Sequence, residues 1–317
     1  MPRVGSTGTS SVETLHPAEP EAAPAAAPAP EPCPSAAAPV RPAALPEVLL
    51  QSARAKVIHG TDPGDYYCEH LFFLAQREAQ RPGASVKRNA SGEPLVGFLH
   101  VPPDEWTGGD GKPVQAKRHA GTREVVGAAL KGYIGDAARK LKPDEPVKVL
   151  FTGYGTFMST KNNPTGDFVS HPENVDAAMK SAFGGALLTK KAKSTREPDG
   201  SVTLRYRIRD EKAAGGERAV LVRTRQLDVA DTTLDPANRT GIQGQIAAFQ
   251  PHAVLSMGVH GGSEYKAEWH ADDGGLREDG GKFFHDGALQ ARRNMPDNRS
   301  LARAILAGQS ATAAAQP

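Results

Sequence analysis

A cysteine at the start of a predicted helix is a candidate nucleophile in this sequence. Cys68 lies in the stretch VIHGTDPGDYYCEHLFF, after a short apolar strand and a turn that contains Gly60 and Gly64. In the first turn of a helix, the positive end of the helix dipole favours a thiolate, and backbone N–H groups can stabilise an oxyanion. A buried structural cysteine is the alternative, and the local sequence does not decide between the two.

A thiolate nucleophile requires a histidine base and a third group that orients the imidazole. Among the 10 histidines, His100 is the best placed, because it lies near the end of the apolar strand GFLHV, which Pro102 stops. The third group would come from the loop after the strand HAVLSMGV, where Glu264 and Glu268 both lie. The residues alone leave open a structural histidine and a solvated carboxylate.

Other chemistry is less well supported by the residue spacing. His260, His270, Asp272 and Asp273 occur in one loop, but their spacing fits no recognised zinc pattern. The loop TGYGTF lacks the third glycine of a dinucleotide site and the lysine of a P-loop. We therefore expect no metal and no cofactor. A metal-dependent hydrolase that uses residues 260–273 is kept as an alternative.

Alternating strands and helices would have to position these side chains. Apolar periodicity predicts helices at 66–80, 122–141, 172–183 and 241–250, and strands at 55–59, 95–101, 147–153 and 252–259, with further strands within 186–229. A short amphipathic helix is predicted within 46–58. This alternation predicts an α/β fold, a single-domain three-layer α/β/α sandwich with a mostly parallel sheet. Sites in such sheets form at the carboxyl ends of the strands.

Composition sets the domain boundaries and limits the partners. Residues 1–45 are rich in Ala and Pro and are predicted to form a disordered tail, and 301–317 a C-terminal tail, which leaves one domain at 46–300. The formal net charge of +2 gives no case for nucleic acid or membrane as a partner. No apolar run approaches the ~20 residues that span a bilayer. Two cysteines, Cys33 and Cys68, fit a reducing compartment, so a cytoplasmic location is expected.

Four motifs occur along the chain in one cyclic order. They are DPGDYYCEHLFF with Cys68, GFLHVP with His100, VLFTGYGTFMSTKNNP, and AVLSMGVHGGSEYKAEWHADD with Glu268. Together they resemble the pyroglutamyl peptidase I family, the cysteine peptidases of the pyrrolidone-carboxylate type. That family places its loop and glutamate segments before its cysteine and histidine segments. The order here resembles a circular permutation, in which the end of the family's chain is joined to its beginning through KPDEP at 142–146. A protein tolerates such a permutation when its original termini lie close together.

The resemblance implies a phosphorylase/hydrolase-like fold in permuted order, with a Cys/His half at 46–141 and a ring-pocket and glutamate half at 147–300. It implies removal of an N-terminal pyroglutamyl (5-oxoproline) residue from a peptide, through a thioester acyl-enzyme and without a cofactor. The substrate partner would be a peptide with an N-terminal pyroglutamate, and a homo-oligomer is left open.

The resemblance also assigns a role to each residue that matches a motif. Cys68 would be the nucleophile, His100 its base and Glu268 the group that orients the imidazole. For substrate binding, it implies a flat ring held between Tyr154 and Phe157, with Asn163 near the same pocket.

Several positions depart from the pattern of the family. Glu69 follows the cysteine where the family has asparagine, Pro63 replaces an alanine, and Ser263 replaces the arginine after the Gly-Gly pair. The Gly-Gly-to-Glu spacing is one residue shorter, so Glu264 stays an alternative to Glu268. These departures motivate a second hypothesis, in which an altered family member serves as a binding or regulatory protein or acts on a different N-acyl substrate.

Overall fold

In the described part of the chain, nine β-strands form one sheet, in the order β1-β2-β9-β3-β8-β4-β7-β6-β5. The computed structural model describes residues 44–60, 67–103, 115–156, 163–230, 233, 238–271 and 295–313. The strands are β1 (Val48–Gln51), β2 (Lys56–Gly60), β3 (Val96–Val101), β4 (Val147–Tyr154), β5 (Lys193–Arg196), β6 (Val202–Arg209), β7 (Glu217–Leu227), β8 (Ala253–Val259) and β9 (Tyr265–Glu268). The expectations for residues 1–43 and for Phe157 lie outside these described residues.

The four central strands, β3, β8, β4 and β7, run parallel to one another. Strand β3 is buried along its whole length, and β8 and β4 nearly so, as expected for parallel strands that are covered on both faces. In contrast, the sequence VTLRYRIR of β6 alternates at its end between buried apolar and exposed arginine side chains. The buried central strands therefore provide the rigid part of the sheet.

Within the described residues, six α-helices pack around this sheet. They are α1 (Tyr67–Gln80), α2 (Gln115–Ala138), α3 (Pro164–Ser170), α4 (Pro172–Phe183), α5 (Ile242–Phe249) and α6 (Ser300–Ala313). Helix α2 packs against α4 and α6, and α1 packs against α5. The predicted α/β class is confirmed, with a large mixed sheet. No helix in the described part of the chain is both long and apolar enough to cross a bilayer.

The predicted helix within 46–58 is wrong, because this segment folds into the antiparallel hairpin β1–β2. The Ser52 hydroxyl accepts a hydrogen bond from the backbone N–H of Ala55 at 3.0 Å, which closes a tight turn between the strands. Strand β2 then pairs in parallel with β9, a partner more than 200 residues away in sequence. Long-range pairing of this kind overrides a short helical pattern.

The sequence predicts a loop for the whole segment after β8, but in the structure Tyr265–Glu268 forms strand β9 between β2 and β3. Strand β9 runs antiparallel to β3, with Glu268 opposite Phe98. Four residues with this composition carry little local strand signal, so the pairing depends on the two neighbouring strands. Because β2, β9 and β6 run against the central strands, the sheet is mixed.

The predicted C-terminal tail at 301–317 is wrong for residues 301–313, which belong to helix α6 (Ser300–Ala313). Leu301 and Ile305 are completely buried, and Asn298 donates a hydrogen bond to the carbonyl of Val96 at 2.9 Å. A Cβ atom at Gly97 of β3 would lie 2.7 Å from the Cβ atom of Leu301, so the helix approaches the sheet closely. Helix α6 therefore belongs to the core.

Leu301→Ala is expected to lower the free energy of unfolding by about 2–5 kcal/mol, because it leaves a cavity between α6 and β3. Leu306→Ala is the matched control, because this substitution removes the same atoms from a partly buried position of the same helix. Chemical denaturation of both variants measures the difference. Equal losses in the two variants would contradict the buried placement of Leu301.

Candidate active site

Cys68 is the second residue of α1 and carries a free, half-buried thiol. The thiol lies over Gly258 of β8, because a Cβ atom at Gly258 would be only 2.6 Å from Cys68 Sγ. Gly258 is in register with His100 on the neighbouring strand β3. The absence of a side chain at Gly258 therefore makes room for the thiol beside the imidazole.

His100 makes a short hydrogen bond with Glu268. Its Nδ1 atom lies 2.7 Å from Glu268 Oε1, and the two residues are only 4% and 1% exposed. The bond joins diagonal neighbours on the antiparallel strands β3 and β9, where Glu268 is directly opposite Phe98. With Nδ1–H donating to the carboxylate, Nε2 is the ring nitrogen left for another partner.

The electrostatics of the site favour a charged imidazole. Burial by itself disfavours the imidazolium, but hydrogen bonds with Cys68 and Glu268 and the negative charges of these two groups outweigh it. The result raises the pKa of His100 to about 9. At neutral pH, His100 is therefore a buried cation between a sulfur and a carboxylate, the charge state expected of a thiolate–imidazolium pair.

Glu268 occupies a space that a glycine provides. Gly60 on β2 is in register with Glu268 on β9, and a Cβ atom at Gly60 would overlap the carboxylate. Within the described residues, Glu268 Oε2 has no hydrogen-bond partner, and Oε1 makes the hydrogen bond with His100. Strand β2 of the hairpin thus leaves the space that the carboxylate occupies.

Glu264, the alternative third member, is directed away from His100. Its carboxylate lies 3.9 Å from the Nζ atom of Lys56, and its side chain is 36% exposed. The structure therefore brings Cys68, His100 and Glu268 together and places Glu264 at the surface.

Tyr154 lies close to Cys68, but its hydroxyl is used within the protein. It donates a hydrogen bond of 2.8 Å to the backbone carbonyl of Tyr67, the residue before Cys68. Burial, with the nearby charge of Cys68, raises the pKa of Tyr154 well above its ordinary value, and the side chain is only 3% exposed. Tyr154 therefore holds the first turn of α1, and its contact with a substrate ring stays a prediction.

Asn163 caps helix α3. Its Oδ1 atom accepts hydrogen bonds from the backbone N–H and the hydroxyl of Thr165, at 3.0 and 2.8 Å. The Thr165 hydroxyl in turn accepts from the backbone N–H of Tyr154 at 3.0 Å. Asn163 is thus connected to the start of α1 through Thr165 and Tyr154, and its role near a substrate stays a prediction.

The rings of Phe98 and His260 flank His100, and neither residue is predicted from the sequence to be its neighbour. Phe98 packs edge-on at 5.0 Å between ring centroids, and His260 lies at 5.6 Å. The alternation of β3 carries a signal for Phe98, because residues two apart lie on the same face of a strand. No local pattern signals His260 as a neighbour of His100.

The alternative prediction is a metal site in the loop 260–273. In the described part of the chain, no group of three His, Cys, Asp or Glu side chains lies close enough together to hold a metal ion. His270 lies 3.3 Å from Asp297 at the surface. Asp272 and Asp273 lie outside the described residues.

Comparison with known proteins gives no relative for this chain. No family model matches the sequence, and no curated protein or solved structure is significantly similar to it. The inference of function therefore depends on the motifs and on the geometry of the site.

Glu268→Gln is expected to lower the pKa of His100 from about 9, because the carboxylate is one of the groups that raise it. An NMR titration of the imidazole, with selectively labelled histidine, measures this pKa directly. Glu264→Gln is the matched control and should leave the titration of His100 unchanged. A shift with Glu264→Gln and none with Glu268→Gln would reverse the assignment of the third member.

Gly258→Ala is expected to displace the thiol, because the new methyl group would lie 2.6 Å from Cys68 Sγ and 2.8 Å from Phe98 Cζ. The rate of alkylation of Cys68 by iodoacetamide should fall about 10- to 100-fold. Gly261→Ala is the control, since a Cβ atom there meets nothing within 4 Å. Unchanged alkylation in folded Gly258→Ala protein would contradict this seat for the thiol.

Proposed function

We propose that the protein is a cysteine peptidase that removes an N-terminal pyroglutamyl residue from peptides. The observation that carries the proposal is one array, in which the half-buried Cys68 thiol, the buried His100 imidazole and the buried Glu268 carboxylate follow one another through hydrogen bonds. This order of nucleophile, base and orienting acid is the arrangement that acyl transfer by a thiol requires.

The reaction would begin when the Cys68 thiolate attacks the carbonyl carbon of the scissile amide. A C–S bond forms, and the carbonyl electron pair moves to oxygen, where backbone N–H groups at the start of α1 would stabilise it. The His100 imidazolium then gives its proton to the departing nitrogen, the C–N bond breaks, and the shortened peptide leaves as an amine. A thioester remains on Cys68.

Hydrolysis of the thioester would return the enzyme to its starting state. His100, now neutral, takes a proton from a water molecule, and the oxygen of that water attacks the thioester carbon. The C–S bond breaks, the acid is released, and the thiolate and imidazolium are restored. Throughout, Glu268 would keep Nδ1 protonated, so that Nε2 handles the transferred proton.

The choice of substrate is the part of the proposal for which the family resemblance carries most weight. Glu69 is 4% exposed next to Cys68, at the position where the family has asparagine. A buried glutamate one residue after Cys68, in place of the asparagine of the family, favours as a second candidate the same hydrolytic chemistry on a different small N-acyl group. A binding or regulatory protein without activity is the further alternative.

The fold proposal goes together with the reaction. We infer that the chain is a permuted three-layer α/β/α sandwich, supported by the cyclic order of the four motifs and by the two helix groups, α2–α4–α6 and α1–α5. A cytoplasmic location is proposed on the free thiol of Cys68, which a reducing compartment preserves.

Purified protein is expected to release the fluorophore from a pyroglutamyl-coumarin amide. Cys68→Ala should abolish this activity, because no nucleophile remains, and His100→Ala should reduce it about 100-fold or more. Glutaminyl- and acetylalanyl-coumarin amides, assayed in parallel, distinguish the pyroglutamyl substrate from another N-acyl group.

His59→Ala serves as a control for the histidine substitution, because the His59 ring makes a hydrogen bond with the carbonyl of Pro46 at 3.0 Å and, within the described residues, none with Cys68, His100 or Glu268. Activity that survives Cys68→Ala would contradict the proposed nucleophile. A folded protein that cleaves none of the amides, and in which Cys68 does not react with iodoacetamide, would favour the binding-protein alternative.

A further inference from the structure

The segment 260–264 joins β8 to β9 and must cross the end of β3, which lies between these two strands in the sheet. The crossing is anchored on β3 itself, because the backbone N–H of His260 donates to the carbonyl of Val101 at 3.2 Å. Val101 is the residue after His100. The conformation of this short connection therefore contributes, together with the pairing of β9 with β2 and β3, to where Glu268 lies relative to His100.

The His260 side chain holds that connection with both ring nitrogens. Its Nδ1 atom accepts a hydrogen bond from the backbone N–H of Gly262 at 3.1 Å. Its Nε2–H donates to the backbone carbonyl of Glu264 at 2.6 Å. The ring also fills the inside of the turn, since a Cβ atom at Gly262 would lie 2.6 Å from His260 Cε1. The two bonds together require a neutral imidazole with its proton on Nε2.

A neutral ring suits this position because His100 is charged. The two ring centroids are 5.6 Å apart, so a second imidazolium here would repel the first. Burial, together with the positive charge of His100, lowers the pKa of His260. His260 thus packs beside the imidazolium without adding a positive charge or competing for its hydrogen bonds.

We propose that His260 is a positioning residue, which fixes the β8–β9 connection so that Glu268 reaches Nδ1 of His100. It acts through Gly262 and Glu264 and takes no part in proton transfer. The resemblance to pyroglutamyl peptidases assigns no role to this position. The inference rests on the proposed function only in treating the Cys68–His100 pair as a reactive pair, and its test requires no turnover.

The test uses the full chain with Cys33→Ser, so that Cys68 is the sole thiol. Two signals are measured: the low-field proton NMR resonance of His100 Nδ1–H, and the rate of alkylation of Cys68 by iodoacetamide. In His260→Ala, we expect the resonance to shift or disappear and the alkylation rate to change about 10-fold or more, because the carboxylate moves. In His260→Gln, whose amide can both accept and donate, both signals should return toward those of the parent.

His252→Ala is the matched control. His252 precedes the other end of β8 and is buried, whereas His260 is half-buried. The Nδ1 atom of His252 likewise accepts a backbone hydrogen bond, from the N–H of Lys148 at 3.2 Å. It should lose thermal stability but keep the His100 resonance and the alkylation rate. If His260→Ala fails to fold, Gly262→Ala tests the same contact, because its methyl group would displace the ring.

Unchanged signals in folded His260→Ala, or equal damage in His252→Ala, would overturn the inference. Equal loss in His260→Gln and His260→Ala would do so as well, because rescue by the amide is required. Altered signals in a protein that hydrolyses no pyroglutamyl amide would support the positioning role while contradicting the proposed function. Hydrolysis that depends on Cys68, with unaltered signals in His260→Ala, would do the reverse.

Discussion

The hydrogen bond between His100 and Glu268 is the interaction on which the organisation of the site depends. It joins a buried base to a buried acid, and together with the nearby Cys68 it outweighs the cost of burying the His100 imidazolium and raises the pKa of His100. Strand β9 is held in the sheet by pairing with two neighbouring strands, β2 in parallel and β3 antiparallel. The sheet topology therefore influences the charge state of the imidazole, because it places Glu268 beside His100.

Small residues around the triad make this arrangement sterically possible. Gly60 leaves room for the carboxylate, and Gly258 leaves room for the thiol. Each lies on a strand next to one that carries a triad member, Gly60 beside β9 and Gly258 beside β3. Hydrogen bonds then complete the support, with Tyr154 holding the backbone before Cys68. Steric room and backbone anchoring are thus supplied by different strands around one site.

The motifs used to propose a function differ in how far the structure supports their assigned roles. Three side chains from three distant segments meet, as the thiol chemistry requires. The pocket residues are less direct, because Tyr154 and Asn163 make contacts within the protein that orient α1 and α3. Tyr154 and Asn163 therefore support the start of α1 and of α3, and their contact with a substrate stays a prediction.

The sequence by itself determined the α/β class, most of the helices and central strands, and the candidates Cys68, His100 and Glu268, because these depend on local periodicity and on side-chain chemistry. Only the tertiary structure decided between Glu264 and Glu268, converted a predicted tail into the buried helix α6, and placed His260 beside His100. The reason is common to all three. Strand β9 and helix α6 acquire their conformation from partners far away in the chain, and a local pattern carries no information about such partners.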